Sequence, residues 1–435
     1  MLLKISCLLV LAASPFSVRD VDPARDDIPK IEPWKTLVLD SEYGGQWVTA
    51  GDLDGDGAPE VVSAENFNEG DVHYTSAVAA QRLDGSVLWT WGDPGKGRKT
   101  WHHDVACQIH DWDGDGGAEV VVCDEEALVE LEGKTGAEKR RIPIPKEATD
   151  CLVFCDLTGN GRPTDVIVKN RYDQMWAYNQ AGEQLWTVSM PGGYRTAHQP
   201  YPVDIDGDGR DEIIAGYALM NADGSVRWVY ASDKVDLARG HLDCARILER
   251  GTQPEDWRIA MTFCGANALV VSDGNGKSVW EVTGHHFESI NIGVLARDLS
   301  GFQLAVDIDH QPEGDSPVWM LDRDGNKLGE VITPYSRHHK LVDWTGDGVC
   351  ELVVAGNRTL YTGAGERLAT FTVPQEALDA AAGVELSVLT GDMDGDGIPD
   401  ILIITPSTLC IYRNASGPKS EDKRTLGTGL NVTLY

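Results

Sequence analysis

The chain has 435 residues, 42% of them hydrophobic, enough to bury a sizeable core in one large domain or two ordinary ones. It carries 37 Lys+Arg against 69 Asp+Glu, a formal charge of −32, which excludes the basic footprint that a nucleic-acid partner needs. So many carboxylates either solvate a surface or hold cations, and their arrangement along the chain points to cations.

Residues 1–17 begin "MLLKISCLLVLAAS": a lysine, a short apolar run, then small residues. This pattern predicts a secretory signal peptide cleaved between Ala13 and Ser17, since the run is too short to cross a bilayer. Residues 18–33 read as a linker, and 34–435 as a single domain. No other segment approaches transmembrane length, so the expectation is a secreted or periplasmic monomer with no membrane span.

From Gly51 onward an aspartate comb recurs. It reads "GDLDGDGAPEVV" from Gly51, "HDWDGDGGAEVV" from His110, "VDIDGDGRDEII" from Val203, "VDWTGDGVCELV" from Val342 and "GDMDGDGIPDIL" from Gly391, with weaker copies from Cys155 and Arg297. The first aspartates stand at 52, 111, 156, 204, 298, 343 and 392, most of them about 47 residues apart, with one double step. "HLDCARILERGTQPEDWRIAMTF" fills that gap as a unit without a comb, which brings the count to eight.

Each unit also carries a hairpin such as "LDGSVLW", "NQAGEQLW", "NADGSVRW" or "GNGKSVW", a Gly-containing turn between apolar runs. Four short strands per unit, a fixed period and no long helix predict an all-β propeller of eight four-stranded blades, with seven as the alternative. "WKTLVLDS" near the N-terminus and "GLNVTLY" at the C-terminus are strand-like remainders, one or both expected to close the ring.

Acids at comb positions 1, 3, 5 and 9 around a turn glycine suit calcium, a hard cation that takes oxygen ligands at about 2.3–2.6 Å. The flanks are strands, which rules out an EF-hand. The expected ligands are Asp52, Asp54, Asp56 and Glu60; Asp111, Asp113, Asp115 and Glu119; Asp156 and Asn160; Asp204, Asp206, Asp208 and Glu212; Asp343, Asp347 and Glu351; and Asp392, Asp394, Asp396 and Asp400. Their role is expected to be structural. The chain's nine cysteines show no zinc spacing. Cys107, Cys123, Cys244, Cys264 and Cys410 read as small core residues, with Cys107–Cys123 or Cys244–Cys264 bridges as the alternative.

The comb resembles the calcium-loop repeats of integrin α-chains and related bacterial propellers (FG-GAP or VCBS repeats). A closer resemblance begins in the fourth unit. "DIDGDGRDEIIAGYALMNADGS", "GHLDCARI", "ARDLSGFQLAVDID" and "DWTGDGVCELVVAGNRTLY" resemble, in order and spacing, the propeller of polysaccharide lyase family 11, the rhamnogalacturonan lyases. The family's Gly-His-Gly-Asp block reads Gly240-His241-Leu242-Asp243 here. The resemblance implies a calcium-dependent propeller that cleaves a uronate-containing, anionic polysaccharide by β-elimination.

Of the eleven histidines, His102, His103, His198, His241, His285, His286, His338 and His339 all fall at the start of a unit's innermost strand. In a propeller those starts surround one mouth of the axial channel. Tyr194, Arg195, Arg239, Tyr335 and Arg337 travel with them, and Lys99 precedes the first pair. A neutral imidazole is a competent base, and arginine can neutralise a uronate carboxylate. The catalytic candidates are His198, His241, His338, His339, Arg239, Arg337, Tyr194 and Tyr335. The substrate-binding candidates are His102, His103, His285, His286, Arg195 and Lys99. Alternatives for the same face are a transition-metal site and a non-catalytic carbohydrate- or surface-binding propeller. A quinone-cofactor dehydrogenase fits poorly, because the chain has no vicinal cysteine pair.

Overall fold

The computed structural model describes residues 28–100, 107–309, 315–334 and 337–419. The leader, His102, His103, Tyr335 and the C-terminal strand-like segment lie outside the described residues. The remainder folds into eight sheets, each built on four antiparallel strands, arranged as the blades of a propeller. Blade 1 is typical: Trp47–Gly51, Glu60–Glu69, Val72–Gln81 and Val87–Gly92, each strand pairing with the next. The first strand of each blade faces the axis, beside the first strands of its neighbours. The missing comb is confirmed as a blade: His241–Glu249 and Arg258–Cys264 pair as its first two strands, joined by a short 3-10 turn at Pro254–Asp256.

The ring closes with the N-terminal remainder. Lys35–Val38 pairs antiparallel with Thr408–Tyr412, supplying the outer strand that the last blade lacks. The last blade thus takes strands from both ends of the described chain, which prevents the ring from opening without breaking a sheet. Lys30–Ile31, within the segment read as a linker, adds a fifth, parallel strand to the seventh blade. Among the described residues one short α-helix, Gln375–Ala380, and two 3-10 turns, Pro191–Gly193 and Pro254–Asp256, interrupt the strands. No described helix is long and apolar enough to cross a membrane.

The tryptophans that end the hairpin motifs bind blade to blade. Trp89 Nε1 donates to Gly133 O of the next blade (2.6 Å), Trp186 to Ala222 O (3.0 Å), Trp228 to Gly274 O (3.0 Å) and Trp280 to Arg323 O (2.9 Å). Each indole lies on the turn glycine of that next hairpin. A Cβ on Gly136 would meet the Trp89 ring at 2.6 Å, and one on Gly276 the Trp228 ring at 2.6 Å. Both glycines also have positive φ, so a side chain there would be strained and would clash. All eight described cysteines are free. The proposed bridges do not form because Cys107 stands opposite Val122, and Cys244 opposite Thr262.

Candidate functional site

The two ends of each inner strand carry different chemistry. At the far end the strand runs into the comb, which folds around its own first aspartate. Asp52 Oδ1 accepts from Gly55 N (2.8 Å), and Asp111, Asp204, Asp343 and Asp392 repeat the bond at 2.7–2.8 Å. The acid at position 9 opens the second strand and reaches back: Glu60 accepts from Leu53 N, Glu119 from Trp112 N, Glu212 from Ile205 N and Asp400 from Met393 N. These bonds turn the remaining carboxylate oxygens toward one point. Asp52, Asp54 and Glu60 bring ligand atoms within 4.8 Å of one another, as do Asp111, Asp113 and Asp115. Burial and the neighbouring comb acids raise the Glu60 carboxyl above its ordinary range, and Glu212 is pushed up to about 7 chiefly by burial. An oxygen-only, negatively charged donor set of this kind fits a hard cation.

Basic side chains from the same blades share that charge. Arg82 reaches Asp54 (2.7 Å), Lys139 reaches Asp113 (2.6 Å) and Glu119 (2.7 Å), and Arg227 reaches Asp206 (2.8 Å) and Glu212 (3.1 Å). Each bridge ties a comb to the outer half of its own blade.

At the near end, groups from blades 3 to 8 converge on the mouth. His198 and His241 cross ring to ring at 4.4 Å, and both face Asp243 Oδ1, at 3.4 and 2.9 Å. Tyr172, from the turn above blade 3, packs against both rings, with Arg195 over its face at 5.0 Å. In the next blade His286 Nε2 lies 3.0 Å from Glu288 Oε1 and 3.1 Å from Cys264 Sγ. Arg337 spans Glu288 (3.7 Å) and Glu385 (4.0 Å), and His338 faces Glu385 at 3.7 Å.

Electrostatics divide these groups. Burial and the Glu288 charge push the Asp243 carboxyl well above its ordinary range. Burial opposes ionisation of Glu288 too, but the His286 hydrogen bond and Arg337 overcome it and hold the carboxyl at about 2. Glu385 is pushed up to about 8 by burial. Burial, with Arg337 alongside, keeps the His338 imidazole neutral. The mouth therefore holds a neutral imidazole at His338, an ionised carboxylate at Glu288 and a guanidinium within one opening, the mixture that acid–base chemistry on an anionic substrate requires.

Below the mouth a cavity of about 500 Å³ follows the inner strands past Gln199, Tyr201 and Arg246 toward the comb of blade 4. Beside the mouth, the tall hairpin of blade 1 inserts His73 against Asp150 of blade 3, where Lys169 (3.3 Å) and Arg171 (3.5 Å) also meet that carboxylate. Arg171 Nε donates to the Tyr172 hydroxyl at 3.1 Å, which connects this buried cluster to the histidines.

Several expected site residues lie elsewhere. His339 is 1% exposed and points at Ala305 O, a packing role between blades. His285 packs on Trp319 at 5.0 Å, on the opposite side of the strand from His286. Lys99 donates to Ser41 O and Glu42 O and holds a blade 1 loop. Tyr194 packs against Tyr217. Arg239 is exposed, and its carbonyl accepts from the Tyr217 hydroxyl. The sequence reading missed Asp243, Cys264, Glu288, Glu385, Tyr172 and Arg171 as site residues. A signal existed for two of them: His241-Leu242-Asp243 and His286-Phe287-Glu288 share a spacing that sets both polar side chains on one face of a strand.

Comparison with known proteins agrees with the resemblance carried by the motifs. Residues 343–427 match the FG-GAP-like repeat family. The chain is 24% identical over 414 residues to the rhamnogalacturonan exolyase YesX of Bacillus subtilis, covering 75% of this chain and 63% of the relative. It is 27% identical over 405 residues to the rhamnogalacturonan endolyase YesW of the same organism, covering 77% of this chain and 60% of the relative. It thus spans about three-fifths of the length of these relatives. The structure of the Bacillus licheniformis rhamnogalacturonan lyase PL11 superposes with a TM-score of 0.62 at 19% identity, covering 92% of this chain and 81% of that one.

Proposed function

We propose that this chain is an exported polysaccharide lyase that cleaves a uronate-containing, rhamnogalacturonan-like polymer by β-elimination, with calcium held in its combs. One observation carries the reading: imidazoles, a guanidinium and a tyrosine converge at the mouth of a propeller similar in sequence to two rhamnogalacturonan lyases.

Elimination needs three services. The uronate carboxylate must be neutralised so that the C5 proton becomes acidic, and Arg337 and Arg195 stand at the opening for this. A base must take that proton as the C4–O bond breaks and the C4–C5 double bond forms. His241 suits this role, its Nε2 standing 2.9 Å from Asp243 Oδ1. The departing oxygen then needs a proton. Tyr172, its ring 4.8 Å from that of His241, is the nearest described tyrosine. The combs supply no step. Calcium there would join the inner turn of each blade to its second strand.

The test is incubation with rhamnogalacturonan, homogalacturonan and other uronate polymers, followed by ultraviolet absorbance of the new double bond. An unsaturated product from at least one polymer is expected. Binding with no unsaturated product from any of them overturns the lyase reading in favour of a carbohydrate-binding propeller.

A further inference from the structure

The combs set acids around a point, whereas the channel between them and the mouth sets bases. Arg246 stands on the inner strand of blade 5, His241–Glu249, and Lys340 on that of blade 7, His339–Val342. Blade 6 separates those two strands, so their side chains meet across the channel. Burial, and then the Arg246 charge, hold the Lys340 ammonium down at about 8. The chain has 69 Asp+Glu against 37 Lys+Arg, yet among the described residues no carboxylate and no hydrogen-bond acceptor reaches that ammonium.

The cavity of about 500 Å³ below the mouth gives these cations a chamber, with Gln199 and Arg246 in its wall. Gln199 is 6% exposed, and its Nε2 has no acceptor among the described residues. An enclosed donor without an acceptor is costly, and so is an enclosed cation without a counter-charge. One negatively charged acceptor answers both. We propose that Gln199, Arg246 and Lys340 form a site inside the axial channel for a single carboxylate anion.

Donor chemistry selects the ligand. Arg246 Nη1 donates to Ala245 O at 2.8 Å, which orients the guanidinium. A guanidinium presents paired N–H donors that match a carboxylate, and an ammonium adds a point charge beside them. The chamber's own acids do not compete for these donors. Burial and the Glu288 charge push the Asp243 carboxyl, at the upper end, well above its ordinary range. At the comb end Asp156 accepts from Gly159 N and Asp204 from Gly207 N within their own loops, and Asp211 accepts from Asp156 N at 2.8 Å. The existence of the site is independent of the lyase reading. Its ligand rests on that reading: the carboxylate would be a uronate of the bound polymer, although the same donors suit a free small carboxylate.

The experiment is a titration of the full chain, in calcium-containing buffer, with acetate, D-galacturonate and neutral D-galactose, read by calorimetry and by melting. The expected result is one equivalent of carboxylate that Lys340→Met and Arg246→Met each weaken more than about 10-fold, the usual cost of a charge-assisted hydrogen bond. Arg337→Ala, at the mouth, should leave that equivalent within about twofold, and galactose should not fill it. Galacturonate tighter than acetate assigns the site to polymer uronate, and equal binding assigns it to a free carboxylate. Without carboxylate, Lys340→Met should melt no lower than the parent, because it removes a cation that lacks a counter-charge. Carboxylate should then raise the melting temperature of the parent and not of this variant. No carboxylate equivalent, one that survives both channel substitutions, or one lost only in Arg337→Ala overturns the site. No polymer enters the titration, so its outcome is separate from the lyase assay: carboxylate binding without elimination would sink only the lyase, and elimination without carboxylate binding only this proposal.

Discussion

Both ends of the inner strands are rich in carboxylates, and they satisfy them in opposite ways. In a comb, Asp204 takes the N–H groups of Gly207 and Gly209 within its own loop, and Asp206 meets Arg227 of the same blade. At the mouth, Asp243 of blade 5 meets His198 of blade 4, and Glu288 of blade 6 meets Arg337 on the approach to blade 7. The comb is a local device repeated along the chain. The mouth exists only when the ring is closed. Stability should therefore be written at one end and chemistry at the other.

The largest effect expected from this division is on calcium removal. With calcium bound as proposed, each comb site would contribute about 2.7 kcal/mol at a hundredfold excess of ligand over its dissociation constant. Chelation should lower the melting temperature by about 10 °C or more. Calorimetry with and without chelator checks this, and an unchanged transition would leave the combs as turns that need no metal.

A smaller effect should mark the mouth. Glu385 is pushed up to about 8 by burial, above its unfolded value. A carboxyl raised in this way contributes stability that is complete below about pH 4.5 and is lost as pH rises through about 8. Glu385→Gln should remove that loss, so the variant gains about 1–2 kcal/mol on the parent between pH 5 and 9. The gain stays below the full shift because the nearby guanidinium and the open mouth screen the charge. Denaturant titrations at the two pH values measure it, and parallel pH dependence in both proteins would contradict it.

The smallest effect separates His285 from its neighbour. His285 packs on Trp319 and points away from the mouth. His285→Ala should leave kcat/KM within about twofold, where a directly acting base would cost about 10²-fold or more. Initial-rate kinetics on an active polymer decide the matter.

The same contrast explains what could be read from the sequence. A comb is legible because all its acids fall within a few residues, so Asp111, Asp113, Asp115 and Glu119 announce themselves in one short run. The eight blades follow from the recurrence, and the unit without a comb was legible from the doubled step. The mouth was legible only through the histidines that begin inner strands. Cys264 and Tyr172 come from the ends of second strands and the turns above them, and Glu385 from the approach to blade 8. No local pattern brings them to His241 or Arg337. Adjacent histidines misled for a different reason. Strand alternation sends His285 and His286 to opposite faces, and His339 turns into the gap between blades beside His338.

The central claim is that the mouth performs chemistry while the combs hold the blades. The measurement that tests it most directly is a paired reading of elimination rate and calcium-dependent melting for His241→Ala and Asp113→Ala, on the same polymer and at a temperature where both variants are folded. The account predicts that His241→Ala loses at least about 10²-fold in kcat with its calcium-dependent melting retained, and that Asp113→Ala melts earlier with its kcat nearly intact. If Asp113→Ala abolishes turnover in the folded protein while His241→Ala keeps it, the assignment of chemistry to the mouth is wrong.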